Sequence, residues 1–530
     1  MIFFIASAIL AVSGSIWIVY LYYTNTVPTP IRGGTYTEGM VGQPVAINPL
    51  ISSENEADRD LMTLTFASLA DLAETIKMDD TKKIWTITLR PELKWSDEEP
   101  LTSDDVVFTL GVLQDSENRS WQGVSVERLS EREFRFNLKN PYAFFADNLK
   151  NLLVAPQHIF DNIPPQNYRL SNFNLEPVGS GPYKYAGYEK RADGFIDKYY
   201  LVINPFYALE KPLIKNFNFR FFPSRKDALE AFDRRGIDGL GGLDYAEAES
   251  LKISHQVLEA DLPRYYAIFF NQSLHAALKE KEIRAALDAS IDRARILKEI
   301  FKDNAVRVDG PIPPIVAGYD PEIYDDAKPT IDQIKASLDK AGWKADDTGL
   351  RSKVISKNKV ILEFEMVIPD AKFLTDTANL IKEDWLKIGV VLKPVILKSS
   401  EVRDVIKTRN YKMVIFGNIL HNGNPDLFDF WHSSKRFDPG LNLALYSDKV
   451  MDTLLESVRQ NFDETARQTD LFKIQTLIYQ QKPASFLFSP KYFYAAPQNL
   501  GGFSAKLITT SANRFENINH WYLKTARVFK

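Results

Sequence analysis

Residues 89–110 read LRPELKWSDEEPLTSDDVVFTL, and the fold is decided from here outward. Upstream, Trp85, Ile87 and Leu89 alternate in KIWTITLR, the period of a half-buried strand. Asp97 to Pro100 make a tight turn. Thr102 then sits three residues before Asp105, the spacing of a capping box, and Asp104 suits the positive end of a helix that runs on to Leu110. Trp95, Pro100 and Asp105 therefore read as a strand end, a turn and a helix cap. A second alternating strand follows at Phe134, Phe136 and Leu138.

Farther along, helix and strand alternate. Ile283, Leu287, Ile291, Ala294, Leu297 and Phe301 form one apolar helical face. A helix from about Thr330 stops at Gly342. Another, Ala371 to Ile388, ends at Gly389 and runs into the strand VVLKPVIL. Glu401–Thr408 reads as helix and Tyr411–Phe416 as strand. The pattern is α/β with mixed sheets.

At 530 residues with 25% charged and 45% hydrophobic residues, the chain is long enough for two or three lobes and too apolar to be disordered. The absence of cysteine excludes disulfides, thiolate metal sites and cysteine nucleophiles. A net charge of −4 argues against a nucleic-acid partner. The 34 Phe, 23 Tyr and 8 Trp fit either a large core or a ring-lined groove.

Residues 1–23, MIFFIASAILAVSGSIWIVYLYY, precede the first charge at Arg32. They predict a transmembrane anchor with an aromatic end at Trp17, Tyr20, Tyr22 and Tyr23. The competing reading is a cleaved signal peptide, which Ser13 and Ser15 would admit but which lacks its basic leader. Residues 24–31 read as an extended linker.

Common catalytic and cofactor motifs are absent: no G-x-S-x-G, no phosphate-binding loop, no G-x-G-x-x-G and no H-E-x-x-H. The six histidines have no metal-ligand spacing on a helix. No cofactor and no metal are expected, and nothing requires an enzyme.

Five segments in order resemble one family, the extracytoplasmic solute-binding proteins of peptide/nickel-type ABC importers, solute-binding protein family 5. They are Gly33–Leu50, with its Asn48-Pro49; Leu89–Leu110; VGSGPYKY (Val178–Tyr185); Tyr265–Leu297, which ends Ile-Asp-Arg-Ala-Arg-Ile-Leu; and GNPDLFDFWHSS (Gly423–Ser434). The resemblance spans roughly Gly33 to Phe503. It differs at Asp97-Glu98, where the family usually has Asp-Gly. Gly179 and Gly181 are expected to supply positive φ.

The resemblance implies a two-lobed periplasmic-binding-protein-like fold with an extra subdomain. Lobe I would be 32–49, 178–263 and 500–530, with 50–177 packed on it; lobe II would be 264–499, and the hinge would lie near Pro263 and Asn499. It implies a monomer on the extracytoplasmic face of the membrane, anchored by residues 1–23. Such a protein closes on a peptide or other small polar solute and delivers it to ABC permease subunits. A membrane-anchored extracytoplasmic enzyme or ligand sensor on the same fold is the alternative.

Peptide binders of the family hold the peptide's α-ammonium with an Asp in Asp-x-x-[acidic]-Pro. Aligned on Pro425, those places hold His421 and Asn424, so the amine anchor is missing unless Asp426 replaces it. Phe416, Gly417, Asn418 and Asn422 would border the cleft, and Ser53 would face it from the other lobe. Phe416 reads equally well as a buried strand residue, and Tyr266 and Phe270 as core.

Overall fold

The computed structural model describes residues 2–115, 121–505 and 507–529, without the side chains of residues 2–9, 11 and 422. Two mixed sheets carry the molecule. The first has seven strands in the order Gln256–Ala260, Tyr492–Ala496, Gly239–Leu243, Thr35–Val41, Asn216–Phe222, Ile196–Ile203 and Tyr183–Lys190. The second has six: Ala305–Arg307, Ala484–Pro490, Arg264–Phe270, Met413–Ile419, Glu363–Pro369 and Val391–Leu397. A separate antiparallel sheet of four strands holds Ala73–Met78, Ile84–Leu89, Glu133–Leu138 and Val124–Arg128. In it Trp85 faces Phe136 and Ile87 faces Phe134, so the two alternating runs of the sequence are neighbours.

The chain passes from the seven-stranded to the six-stranded sheet between Ala260 and Arg264, and returns at Lys491. That return falls ahead of the position expected near Asn499, because Tyr492–Ala496 is itself drawn in between two strands of the seven-stranded sheet. The rings go mainly into cores: Phe217, Phe219, Phe221, Tyr36 and Trp521 are fully buried together.

In the opening stretch Trp95 is fully buried and the helix runs Ser103–Asp115. The Asp105 carboxylate accepts from the Thr102 N–H at 2.8 Å and from the Gln157 N–H at 2.9 Å. Thr102 Oγ1 accepts from the Asp104 N–H at 3.3 Å, one residue short of a full capping box. Glu98 takes the left-handed place at φ 79, where glycine would be unstrained.

Three expectations are corrected. The long apolar face from Ile283 to Phe301 belongs to two helices, Lys281–Ser290 and Arg293–Phe301. Asp292 breaks it, because its carboxylate caps the second helix at the Arg295 N–H, 3.0 Å away. Gly179 and Gly181 are not in the left-handed region. They are small because a Cβ would lie 1.9 Å from the Thr65 carbonyl oxygen at Gly179 and 2.6 Å from the Thr65 carbonyl carbon at Gly181. Residues 24–31 are extended but not free: Thr26–Pro30 pairs antiparallel with Thr525–Phe529, and Arg527 donates to Thr26 Oγ1 at 2.8 Å.

The N-terminal helix runs Ile2–Asn25. Among the described residues no helix is long and apolar enough to cross a membrane. The span expected over 1–23 is therefore not supported, and the part resting on Met1 and the side chains of 2–9 and 11 lies outside the described residues.

Candidate functional site: an open strand edge

Val414, Ile415 and Phe416 are strand formers, and Met413–Ile419 lies inside the six-stranded sheet. One neighbour, Arg264–Phe270, pairs with all seven of its residues. The other, Glu363–Pro369, pairs only at Met413 and Val414 and then continues along Val391–Leu397. From Ile415 to Ile419 one edge of the strand therefore has no partner strand among the described residues, and its outward N–H and C=O groups form a row of the kind another chain can pair with.

Side chains along this edge face both sides of the sheet. Asn418 is buried, with its Nδ2 donating to the Tyr265 hydroxyl at 3.2 Å. Phe416 is half-buried against the core around Trp431. At Gly417 a Cβ would come within 3.0 Å of the Tyr266 ring, so this glycine makes room for that ring. Tyr265 and Phe270 are core, and Tyr266 packs on Phe373.

Beyond the strand, the Leu420 N–H donates to the Pro263 carbonyl at 2.7 Å, which fixes this end of the edge to the crossing between the sheets. His421–Gly423 forms a tight turn. His421 is exposed, yet the chain around it desolvates its ring and lowers its pKa, so the imidazole is neutral at pH 7. Asn422 lies in the same turn, with its side chain outside the described residues.

Asp426 is already engaged. Arg459 Nε donates to it at 2.8 Å, the Tyr142 hydroxyl at 2.9 Å and the Phe428 N–H at 3.2 Å. Burial acts to lower the Arg459 pKa, and the Asp426 and Asp429 carboxylates overcome this and raise it. Ser53 is engaged locally as well. Its hydroxyl donates to Asp58 at 2.7 Å and accepts from the Asn55 N–H at 3.1 Å. Its neighbour Glu54 reaches Arg403, on helix Ser399–Thr408, at 2.8 Å.

So Phe416, Gly417, Asn418 and His421 lie along one open edge and its exit turn. Ser53 is bonded to Asp58 within its own loop, its neighbour Glu54 pairs with Arg403, and Asp426 is taken up by Arg459 and Tyr142. Glu54, Arg403, Tyr142 and Arg459 are not signalled by the sequence. Their pairings span 349 residues for Glu54–Arg403 and 284 for Tyr142–Asp426, and no local pattern carries such contacts. Among the described residues no group of three or more His, Asp or Glu is placed to hold a metal.

Residues 69–437 match the family model described as bacterial extracellular solute-binding proteins, family 5 Middle. The oligopeptide-binding protein AppA of Bacillus subtilis is 26% identical over 518 residues, covering 93% of this chain and 92% of its own. Its structure in complex with a nonapeptide superposes with a TM-score of 0.73, covering 94% of this chain and all of that one. The probable D,D-dipeptide-binding periplasmic protein DdpA of Escherichia coli is 26% identical over 453 residues, 82% of this chain and 81% of its own.

Proposed function

Because the chain belongs to the family 5 bacterial extracellular solute-binding proteins, we propose that it is the substrate-binding component of an ABC importer. It captures a peptide, or a similar extended polar solute, and delivers it to permease subunits at the extracytoplasmic face of the membrane. It acts as a monomer and turns nothing over.

The observation that carries this reading is the unpartnered edge from Ile415 to Ile419. An extended peptide laid along five residues of strand would meet the outward N–H and C=O of two or three of them, roughly five groups, each bond worth about 1 kcal/mol net. Main-chain bonds of this kind give affinity with little regard to sequence. Phe416, Gly417 and Asn418 serve through their backbone, and His421 and Asn422 border the end of the ligand. Ser53 lines the facing wall. Asp426 keeps the turn in place from behind.

Hydrogen exchange of the 415–419 amides tests this, with and without a defined pool of tri- to pentapeptides. Bound peptide should slow outward amides of this strand while the paired amides at 413–414 stay as they are. A pool that binds by calorimetry and leaves 415–419 unchanged would overturn the strand-addition mode. Release of amino acids from the pool would overturn the binder reading in favour of an enzyme.

A further inference from the structure

Behind the cleft wall lies a fully buried cluster that the binding edge does not use. Arg514 is 2% exposed, and Glu38 and Asp60 are wholly buried. The Arg514 guanidinium donates to Glu38 at 2.9 and 3.2 Å, and its Nη2 also donates to Asp60. The Tyr494 hydroxyl donates to the other Glu38 oxygen at 2.6 Å and accepts from Tyr36 at 2.5 Å. Gly239 passes so close that a Cβ would lie 2.2 Å from the Tyr494 hydroxyl and 2.5 Å from Glu38.

What matters is where these residues come from. Asp60 is on helix Glu56–Thr65, whose N-cap Asn55 follows directly on Ser53 and Glu54. Tyr494 is on Tyr492–Ala496, the first strand after the return crossing at Lys491. Arg514 follows the segment 507–509, which reaches the other crossing. There the Ile508 N–H donates to the Asp261 carbonyl at 3.4 Å, and Arg264 donates to the Thr509 carbonyl at 3.4 Å. Arg514 thus bonds Asp60 directly and reaches the two crossings at one remove, through Glu38–Tyr494 and along its own chain from 507–509. Two groups of the cluster still have unused hydrogen-bonding capacity: Asp60 Oδ1 and the Tyr492 hydroxyl are buried without a partner. A buried carboxylate held only by one shared guanidinium is displaced when that guanidinium moves.

We propose that Arg514 is a positioning residue that couples the Ser53–Asp58 cleft wall to the two crossings, so that wall and hinge move as one unit. The proposal rests on the closing-cleft reading above. Its test needs no ligand, so its failure is distinct from a failure to bind peptide.

Arg514→Lys keeps the charge and loses the fork. In hydrogen exchange on the full chain it should speed the amides of 55–59, 261–264 and 492–496 together, by tenfold or more, and leave 365–368 unchanged. Arg351, equally buried but tied to Asp339, Trp343 and Ile388, is the control. Arg351→Lys should affect only its own surroundings. The cysteine-free chain also permits spin labels at Ser52→Cys and Lys407→Cys. Their distance distribution should broaden in Arg514→Lys and keep its width in Arg351→Lys. Should Arg514→Lys not fold, Tyr494→Phe removes one donor to Glu38 without touching charge, and should give the same regional pattern at smaller amplitude. Faster exchange confined to 511–515, or spread evenly over both sheets, or an unchanged label distribution, would overturn the coupling.

Discussion

At the scale of single residues, the cleft-side chemistry turns on which carboxylates are free. Asp426 is held by Arg459 and Tyr142, Asp58 accepts from Ser53 and from the Val45 and Ala46 N–H groups, and Glu54 faces Arg403. None stands ready for an ammonium, and His421 is neutral at pH 7. Free and N-acetylated forms of one peptide should therefore bind alike. His421→Asp should favour the free amine by about 1.5–3 kcal/mol, roughly tenfold to a hundredfold, because it supplies a charged acceptor. Calorimetry on the matched pair decides it; a strong preference for the free amine in the unaltered protein would mean that a carboxylate leaves its present partner. Gly181 offers a residue-scale test of the fold. A methyl group there would collide with the Thr65 backbone, which cannot give way like a side chain tip. Gly181→Ala should cost about 3 kcal/mol or more by strain and overpacking, read as a shift of the urea midpoint; an unchanged midpoint would show that the turn relaxes freely.

At the scale of elements, one buried ion cluster locks three helix ends. Asp288, near the end of Lys281–Ser290, meets Arg293 at the start of the next helix, and it meets Lys482, just past Glu464–Gln481, at 3.0 Å. Burial alone would raise the Asp288 pKa; Arg293 and Lys482 outweigh it and hold it at about 2 against an ordinary 3.8. A depressed carboxylate stabilises the fold above its unfolded pKa and loses that contribution as pH falls through its folded one. The cluster should thus contribute about 2 kcal/mol above roughly pH 5, fading toward pH 2. The stability gap between the native chain and Asp288→Asn, from urea titrations, should shrink over that window; a gap indifferent to pH would refute the assignment. A smaller test is Glu98→Gly, which should stabilise by about 0.5–1 kcal/mol by relieving a left-handed glutamate; a loss of stability would mean the side chain is needed. These elements also mark what the sequence disclosed. Alternation at Trp85–Leu89 and Phe134–Leu138 and the stops at Gly342 and Gly389 were legible, because each is a local signal. The split at Asp292 was masked by an apolar face that runs through both helices. The binding edge was half legible: the strand could be read, but the parting of Glu363–Pro369 after Val414 is a tertiary event with no local mark.

At the scale of the whole molecule, the question is what holds the two sheet bodies together before a ligand arrives. Glu54–Arg403 is exposed on both sides, and such pairs contribute about 0–1 kcal/mol, too little to set a population. The segment Tyr142–Phe144 makes a stronger contact. It follows the four-stranded sheet, yet Phe144 is buried in the core around Trp431, and the Ala143 N–H donates to the Arg459 carbonyl at 2.7 Å. Arg459 lies over the Phe428 ring at 3.9 Å and pairs with Asp426, while Tyr142 completes the set. Removing the guanidinium strands Asp426 in a largely enclosed place, a cost of about 1–3 kcal/mol given its partial exposure. That cost falls on the arrangement in which the bodies touch, and a separated arrangement rehydrates Asp426 and escapes it. Arg459→Ala should therefore raise the ligand-free radius of gyration in small-angle scattering and weaken peptide binding by roughly fivefold to a hundredfold, although Arg459 is not on the binding edge. Saturating peptide should bring the radius of the variant back to that of the liganded native chain. An unchanged ligand-free radius together with unchanged affinity would mean that Tyr142–Phe144 keeps its place whether the cleft is open or shut, and that closure is governed at the crossings alone.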